Sequence, residues 1–228
     1  MEVLFLLAIA ILPVFFVGMY IYKKDRNKEP AKLLTKLFFS GIGSCFLVLI
    51  ITPILERIFP ILNESSSNLD LIELIFYVFI GIALVEESCK WIMAYKLSYN
   101  DNEFDELYDM ILYCVFVSLG FACFENIFYV FEYGLEGGIL RAITSIPGHT
   151  FFAVIMGYNL GLAKYYSLYK DKDKEKLYKI KSIFFPMLAH GIFDYTIMTE
   201  NLFFILIFFI FIIIMYIYIV KKTNKISS

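Results

Sequence analysis

Long runs of apolar residues, separated by short polar linkers, dominate this sequence of 228 residues. A helix that crosses a bilayer needs about 20 consecutive apolar residues, and several of the runs reach that length. Hydrophobic residues make up 60% of the chain, whereas a soluble domain is nearer to half apolar. Because the runs are continuous rather than alternating, a transmembrane β-barrel is disfavoured. The pattern therefore predicts an all-α, polytopic membrane helix bundle.

The apolar runs predict about seven transmembrane helices. Their approximate ranges are 3–22, 33–55, 71–95, 109–133, 139–165, 178–198 and 202–220. We interpret the first run as a retained helix, because Glu2 stands where a signal peptide would carry positive charge and no A-x-A cleavage site follows. No linker has room for a sizeable soluble domain. We therefore expect residues 1–228 to form one integral membrane domain with a four-helix core at about 71–198.

Lysine and arginine crowd alternate linkers. They lie at 23–36, at 164–181 and at 221–225, whereas the opposite linkers have only Arg57 and Arg141. The positive-inside rule then predicts a cell-membrane protein with its N-terminus outside and its C-terminus in the cytoplasm. An odd number of crossings agrees with that orientation. We interpret the lysines as topology signals and expect no nucleic-acid partner; the expected surroundings are the lipid bilayer.

Charged and imidazole groups interrupt the apolar runs at four places. They are Glu86, Glu87 and Lys90, then Glu125 with Asn126, then His149, and finally His190 with Asp194. A charge at the centre of a membrane helix costs about 2.5–3.5 kcal/mol. Five unpaired charges would cost roughly 15 kcal/mol, as much as the whole stability of a typical fold. We therefore expect these groups to pair, to hold an ion or to converge inside the bundle.

The spacing within each polar group favours presentation on one helix face. Lys90 lies three and four residues after the two glutamates, and Asp194 lies four residues after His190, so each set can meet on its own helix. On the predicted boundaries, however, Glu86 lies several ångströms deeper than the histidines. Convergence of all four groups in one water-accessible cavity is therefore an expectation for a structure to test.

Three interpretations of the polar groups remain open from the residues alone. They could form the active site of an enzyme, or the ion pathway of a proton- or cation-coupled transporter. They could also be ion pairs and hydrogen bonds that fix a non-catalytic scaffold. The transporter interpretation is weakened because the sequence shows no inverted repeat and no paired broken helices.

Four motifs in order resemble those of the PrsW family. They are E-E-x-x-K at 86–90, F-x-x-x-E-N at 121–126, a histidine at 149 with Gly157 and Tyr158 downstream, and H-x-x-x-D at 190–194. That family belongs to a superfamily of intramembrane proteases with the CAAX prenyl endopeptidases and bacteriocin-immunity-type proteins. The CAAX branch resembles E-E-x-x-x-R, F-x-x-x-H and H-x-x-x-N instead. The differences at Lys90, Glu125 and Asp194 argue against a prenylated substrate.

The resemblance implies a membrane-embedded endopeptidase. It would act as a site-1 protease in a stress response, cutting a single-pass, membrane-anchored anti-sigma factor on its extracytoplasmic side. The substrate follows from the resemblance alone; composition and spacing do not indicate it.

The residue types suggest a chemistry for such an enzyme. Carboxylates and imidazoles can hold a divalent metal, with zinc the best match, and leave one position open for water. We expect Glu125, His149 and His190 as metal ligands. Glu86 or Glu87 would be the general base, with the other glutamate paired with Lys90. Asp194 would orient His190, and Asn126 would donate to the oxyanion. A metal-free version, in which glutamate and histidine activate water directly, also remains open.

Overall fold

The computed structural model describes residues 2–226, and helices are the regular structure of this part of the chain. The α-helices are α1 (Glu2–Lys24), α2 (Ala31–Ile58), α3 (Leu71–Phe76), α4 (Val85–Ser98), α5 (Leu107–Ile143), α6 (Ser145–Leu168), α7 (Lys172–Met198) and α8 (Leu202–Ile226). A π-helical segment, Tyr77–Leu84, joins α3 to α4 without a break. Short 3₁₀ turns lie at Pro60–Asn63 and Ser66–Asn68. The prediction of an all-α membrane bundle is confirmed.

Four segments are long and apolar enough to cross a membrane by length and composition alone. They are Val3–Lys24, Ala31–Ile58, Leu107–Leu168 and Leu202–Ile226. The third has 62 residues and contains both α5 and α6. The predicted crossing near 71–95 corresponds to the segment from α3 to α4, which carries interior charges. The one near 178–198 lies in α7, whose first turns are charged. The count of seven crossings therefore stays a prediction.

The first half of α5 forms the centre of the bundle. Its side chains are buried almost continuously from Tyr108 to Cys123, because α1, α2 and α6 pack around it. Two glycines allow α2 to approach closely: a Cβ on Gly41 would lie 1.9 Å from the carbonyl oxygen of Val117, and one on Gly120 would lie 1.9 Å from that of Phe38. Backbone contact therefore replaces side-chain contact at this crossing.

The chain reverses at Gly134, inside the range of α5. Gly134 has φ +67°, a conformation that side chains other than glycine rarely adopt. The helical residues that follow fold back along the preceding turn, so that Gly138 packs against Val130 and Ile9. The sequence predicted a loop at 134–138. Instead, one residue makes the turn and the helix resumes at once, so the predicted start of the fifth helix at 139 was wrong.

Candidate functional site

The first group of site residues lies in the opening turns of α4. Glu86, Glu87 and Lys90 follow directly after the π-helical segment, and such segments are frequent at functional sites. Helix α7 packs closely on this segment at Gly191, because glycine has no side chain and a Cβ there would collide with the ring of Phe79. That close approach brings the neighbouring His190 against α4.

Lys90 is the cation at the centre of the cluster. Its Nζ donates to Glu86 Oε2 at 3.1 Å, to Glu87 Oε1 at 2.8 Å and to His149 Nδ1 at 3.2 Å. Lys90 is 1% exposed and Glu87 is fully buried. The sequence predicted that one glutamate would pair with Lys90, whereas both of them do. The two negative charges and one positive charge thus share a site from which water is largely excluded.

His149 connects the centre of the cluster to α5. A lysine ammonium can only donate, so the Nδ1 that accepts from Lys90 is unprotonated and the ring proton lies on Nε2. The Nε2 donates to Glu125 Oε2 at 3.0 Å. The hydroxyl of Ser118 donates to the backbone carbonyl of His149 at 2.9 Å and fixes its position along α6. The Nδ1 lone pair of His149 is therefore directed at the Lys90 ammonium, on the side of the two glutamates.

His190 approaches the same centre from α7. Its Nδ1 lies 3.0 Å from Glu87 Oε1, and its Nε2 lies 3.2 Å from Asp194 Oδ2. The ring stacks on Phe152, with the centroids 4.8 Å apart and the planes 14° from parallel. Both ring nitrogens of His190 thus face carboxylate oxygens.

The two histidines follow one geometrical rule. Each directs Nδ1 towards the α4 residues and Nε2 towards an outer carboxylate, Glu125 for His149 and Asp194 for His190. Carboxylates in this position orient an imidazole ring and increase its basicity. The ring of Phe121, the first residue of its motif, lies 4.0 Å from the Lys90 Nζ and covers the ammonium by a cation–π contact. The predicted convergence of the four groups is therefore present.

A cavity of about 680 Å³ opens onto this cluster. Among the residues that line it are Glu86, Glu125, Arg141, His149, His190 and Asp194. The buried Glu87 lies behind them. Most of the remaining wall is aromatic or aliphatic, with Tyr129 and Phe193 among its members. The cavity thus combines a largely apolar wall with one polar side.

Arg141 is the site residue that the sequence did not indicate. The reversal at Gly134 returns it to the first half of α5, where its Nη2 donates to Glu125 Oε2 at 2.5 Å. Its Nε donates to the side-chain carbonyl of Asn126 at 3.2 Å, and its guanidinium covers the ring of Tyr129. From the sequence, Arg141 was counted with the outer linkers. The one signal in its favour was that only Arg57 and Arg141 are basic in those linkers.

The structure gives Asn126 a different task from the one predicted. Its amide nitrogen donates to the backbone carbonyl of Ala10 in α1 at 3.0 Å, and the residue is fully buried. The side chain is not part of the cavity wall. Asn126 therefore ties α5 to α1 and supports Arg141, and the guanidinium of Arg141 is the donor that reaches the cavity.

The donors that could hold one metal ion differ from the predicted set. Within residues 2–226, oxygen atoms of Glu86 and Glu87 and a nitrogen of His149 lie within 4.8 Å of one another. Glu87 Oε2 is buried without a hydrogen-bond partner, which is the condition of a ligand atom awaiting a cation. Carboxylate and unprotonated imidazole are also suitable zinc ligands. Of the predicted ligands, His149 belongs to this group, whereas Glu125 and His190 lie around it. The donor set thus fits a divalent metal, which would compete with the Lys90 ammonium.

Comparison with known proteins identifies relatives of this chain. A family model described as PrsW family intramembrane metalloprotease matches residues 29–220. A protein named Protease PrsW from Oceanobacillus iheyensis is 33% identical over 222 residues, covering 96% of each chain. Proteins of the same name from Clostridioides difficile and Bacillus subtilis are each 34% identical, covering 86% and 77% of this chain and 80% and 75% of their own. No solved structure matches.

Proposed function

Because this chain belongs to the PrsW family of intramembrane metalloproteases, we propose that it cuts a single-pass membrane protein within or next to the bilayer through its Glu/His cluster. That it is a membrane protease follows from the family. The metal dependence, the residue roles and the substrate are the proposal. The observation that carries it is the convergence of Glu86, Glu87 and His149 beside a large cavity.

Glu86 is our assignment for the general base. It lines the cavity, whereas its neighbour Glu87 is enclosed by Lys90 and His190. The Lys90 ammonium, 3.1 Å away, favours the ionised form of the Glu86 carboxylate, although the surroundings are apolar. Glu86 would accept a proton from the attacking water and return it to the departing amine. Glu87 would anchor the base by holding both Lys90 and His190 in place.

Glu87 and His149 would hold the metal, and Glu86 would stand beside it on the cavity side as the base. When bound, such a metal acts as a Lewis acid that favours the attack of water on a carbonyl. Glu125 would orient His149 through Nε2, and Asp194 would do the same for His190. The guanidinium of Arg141 reaches the cavity and would stabilise negative charge on the substrate carbonyl oxygen.

The substrate proposed is a single-pass anti-sigma factor, cut on its extracytoplasmic side as the first of two cleavages. The family resemblance supports this assignment. The excess of lysine in alternate linkers supports an orientation with the N-terminus outside and the C-terminus in the cytoplasm. The partly apolar wall of the cavity, with Phe193 and Ile197, suits the entry of an apolar, extended polypeptide segment.

Cleavage in membranes tests the proposal. The chain is co-expressed with a panel of tagged single-pass proteins, among them anti-sigma factors, and fragments are detected by immunoblot. Glu86→Gln should abolish cleavage, while the protein accumulates as the wild type does. The matched control is Glu136→Gln, which neutralises an exposed glutamate at the far side of the Gly134 turn and should leave cleavage unchanged.

The outcomes separate the claims. Cleavage that survives Glu86→Gln would remove the assignment of the base. Cleavage of other single-pass proteins but of no anti-sigma factor would remove the substrate and leave the protease. Loss of accumulation in Glu86→Gln but not in the control would indicate that the cluster only fixes the helices, as a scaffold requires. Equal metal content in wild type and His149→Ala would exclude the proposed metal ligands.

A further inference from the structure

A second cluster of carboxylates lies at the start of α5. It is distinct from the cluster of Glu86, Glu87, Lys90, Glu125, His149, His190 and Asp194, which we call the protease cluster. Asp25 follows the end of α1, Glu106 precedes the first residue of α5, and Asp109 lies in its first turn. One oxygen from each of the three lies within 4.8 Å of the others. Asp109 precedes Glu125 by 16 positions, which corresponds to about 24 Å along a helix. The two clusters are therefore separate sites.

Each of these carboxylates has an oxygen that is buried without a partner. The atoms are Asp25 Oδ1, Glu106 Oε1 and Asp109 Oδ1. Asp25 is 3% exposed and Asp109 is fully buried. The other oxygens of Asp25 and Asp109 are hydrogen-bonded to the backbone. Asp25 Oδ2 accepts from the N–H of Glu29, and Asp109 Oδ2 accepts from the N–H groups of Asp105 and Glu106. The acidic side chains are therefore held rigidly while their remaining oxygens stay unsatisfied.

No basic side chain within residues 2–226 forms an ion pair with the cluster. The nearby Lys28 directs its ammonium to backbone carbonyls, those of Tyr22, Lys23 and Asp25. Burial raises the pKa of Asp25 and of Glu106 above the usual range for carboxyl groups. Three close carboxylates without an ion-paired partner are costly, and a bound cation would remove that cost.

We propose that Asp25, Glu106 and Asp109 bind a hard divalent cation, Mg²⁺ or Ca²⁺, that joins the end of α1 to the start of α5. Such cations take carboxylate oxygens as ligands, and two oxygens on one Ca²⁺ lie no more than about 5 Å apart. The three oxygens already satisfy this limit. The ion occupies the linker end of the bundle, and its role is to stabilise the packing of α1 on the central helix.

The site can be neutralised without removing the backbone caps. Asp25→Asn keeps an oxygen for the Glu29 N–H, and Glu106→Gln alters a half-buried side chain at the rim. Glu103→Gln is the matched control, because it removes one acidic charge from the same linker at an exposed position outside the cluster. His149→Ala controls for metal at the protease cluster.

Thermal unfolding of the purified, EDTA-treated protein in detergent tests the proposal. At a tenfold excess of Mg²⁺ or Ca²⁺ over its dissociation constant, the wild-type midpoint should rise by about 3–6 °C. The rise should persist in Glu103→Gln and His149→Ala and disappear in Asp25→Asn. Electron paramagnetic resonance with Mn²⁺ as the probe should count one ion fewer per chain in Asp25→Asn than in the wild type.

Two results would overturn the site. One is a wild-type midpoint that neither cation raises, and the other is an equal rise in Asp25→Asn. If Asp25→Asn does not accumulate, Glu106→Gln decides between the same outcomes, because its partly exposed side chain contributes a ligand and little packing. The comparison of Mg²⁺ with Ca²⁺ identifies which cation the site prefers.

Discussion

Replacing Lys90 by methionine removes the only ammonium at the centre of the protease cluster and keeps an unbranched side chain of similar reach. The change leaves Glu87, which is fully buried, without its partner at 2.8 Å, and leaves Glu86 without its partner at 3.1 Å. Removal of one partner from a buried ion pair typically destabilises a protein by about 3–5 kcal/mol. We expect Lys90→Met to lower stability by this amount.

An exposed pair in the same protein provides the matched control. Lys179 and Glu175 are also four residues apart on one helix, with 2.7 Å between their charged atoms, but both side chains are partly exposed. Lys179→Met should therefore cost about 1 kcal/mol or less. The measurement is the midpoint of unfolding in detergent for both variants. Equal losses in the two variants would refute the argument that burial, rather than distance, determines the cost.

A second variant separates the lost charge from lost packing. Adding Glu87→Gln to Lys90→Met removes the stranded carboxylate, so the double variant should recover part of the lost stability. Zn²⁺ should also stabilise Lys90→Met more than the wild type, because the ammonium no longer competes for Glu86, Glu87 and His149. If zinc stabilises neither protein, the metal assignment at this cluster fails.

Further substitutions test the packing and the remaining site residues. Gly120→Ala should reduce accumulation in the membrane, because its Cβ would lie 1.9 Å from the Phe38 carbonyl oxygen. Gly43→Ala should accumulate normally, because the nearest atom to its Cβ is 4.0 Å away. An immunoblot of membranes compares the two variants. Asp194→Asn should lower cleavage by about 10–100-fold without changing accumulation, since it weakens the group that orients the His190 imidazole beside Glu87. Arg141→Gln should lower cleavage by a factor of about 100 in the same assay, and unchanged cleavage would exclude its role at the substrate carbonyl.

The convergence of the protease cluster could be predicted from the sequence because each charge lay within an apolar run. The i, i+4 spacing of Glu86 and Lys90, and of His190 and Asp194, correctly indicated contacts within one helix. That charged groups on different helices would pair could be stated from the sequence only as an expectation. Which ring nitrogen of His149 faces the glutamates depends on how α6 packs against α4 and α5, and no local pattern encodes that choice.

Arg141 and the second acidic cluster were missed for the same physical reason. A charge in an apolar run must be compensated, because the lipid offers no solvation, so its position alone marks it as important. A charge in a polar linker, or within a few residues of one, carries no such mark, because water would solvate it in an extended chain. Arg141 becomes a site residue only through the reversal at Gly134, and Asp25 is buried only because α1 packs against the start of α5, 84 positions later at Asp109. Burial that tertiary structure creates outside the apolar runs is therefore the part of the site that sequence patterns cannot indicate.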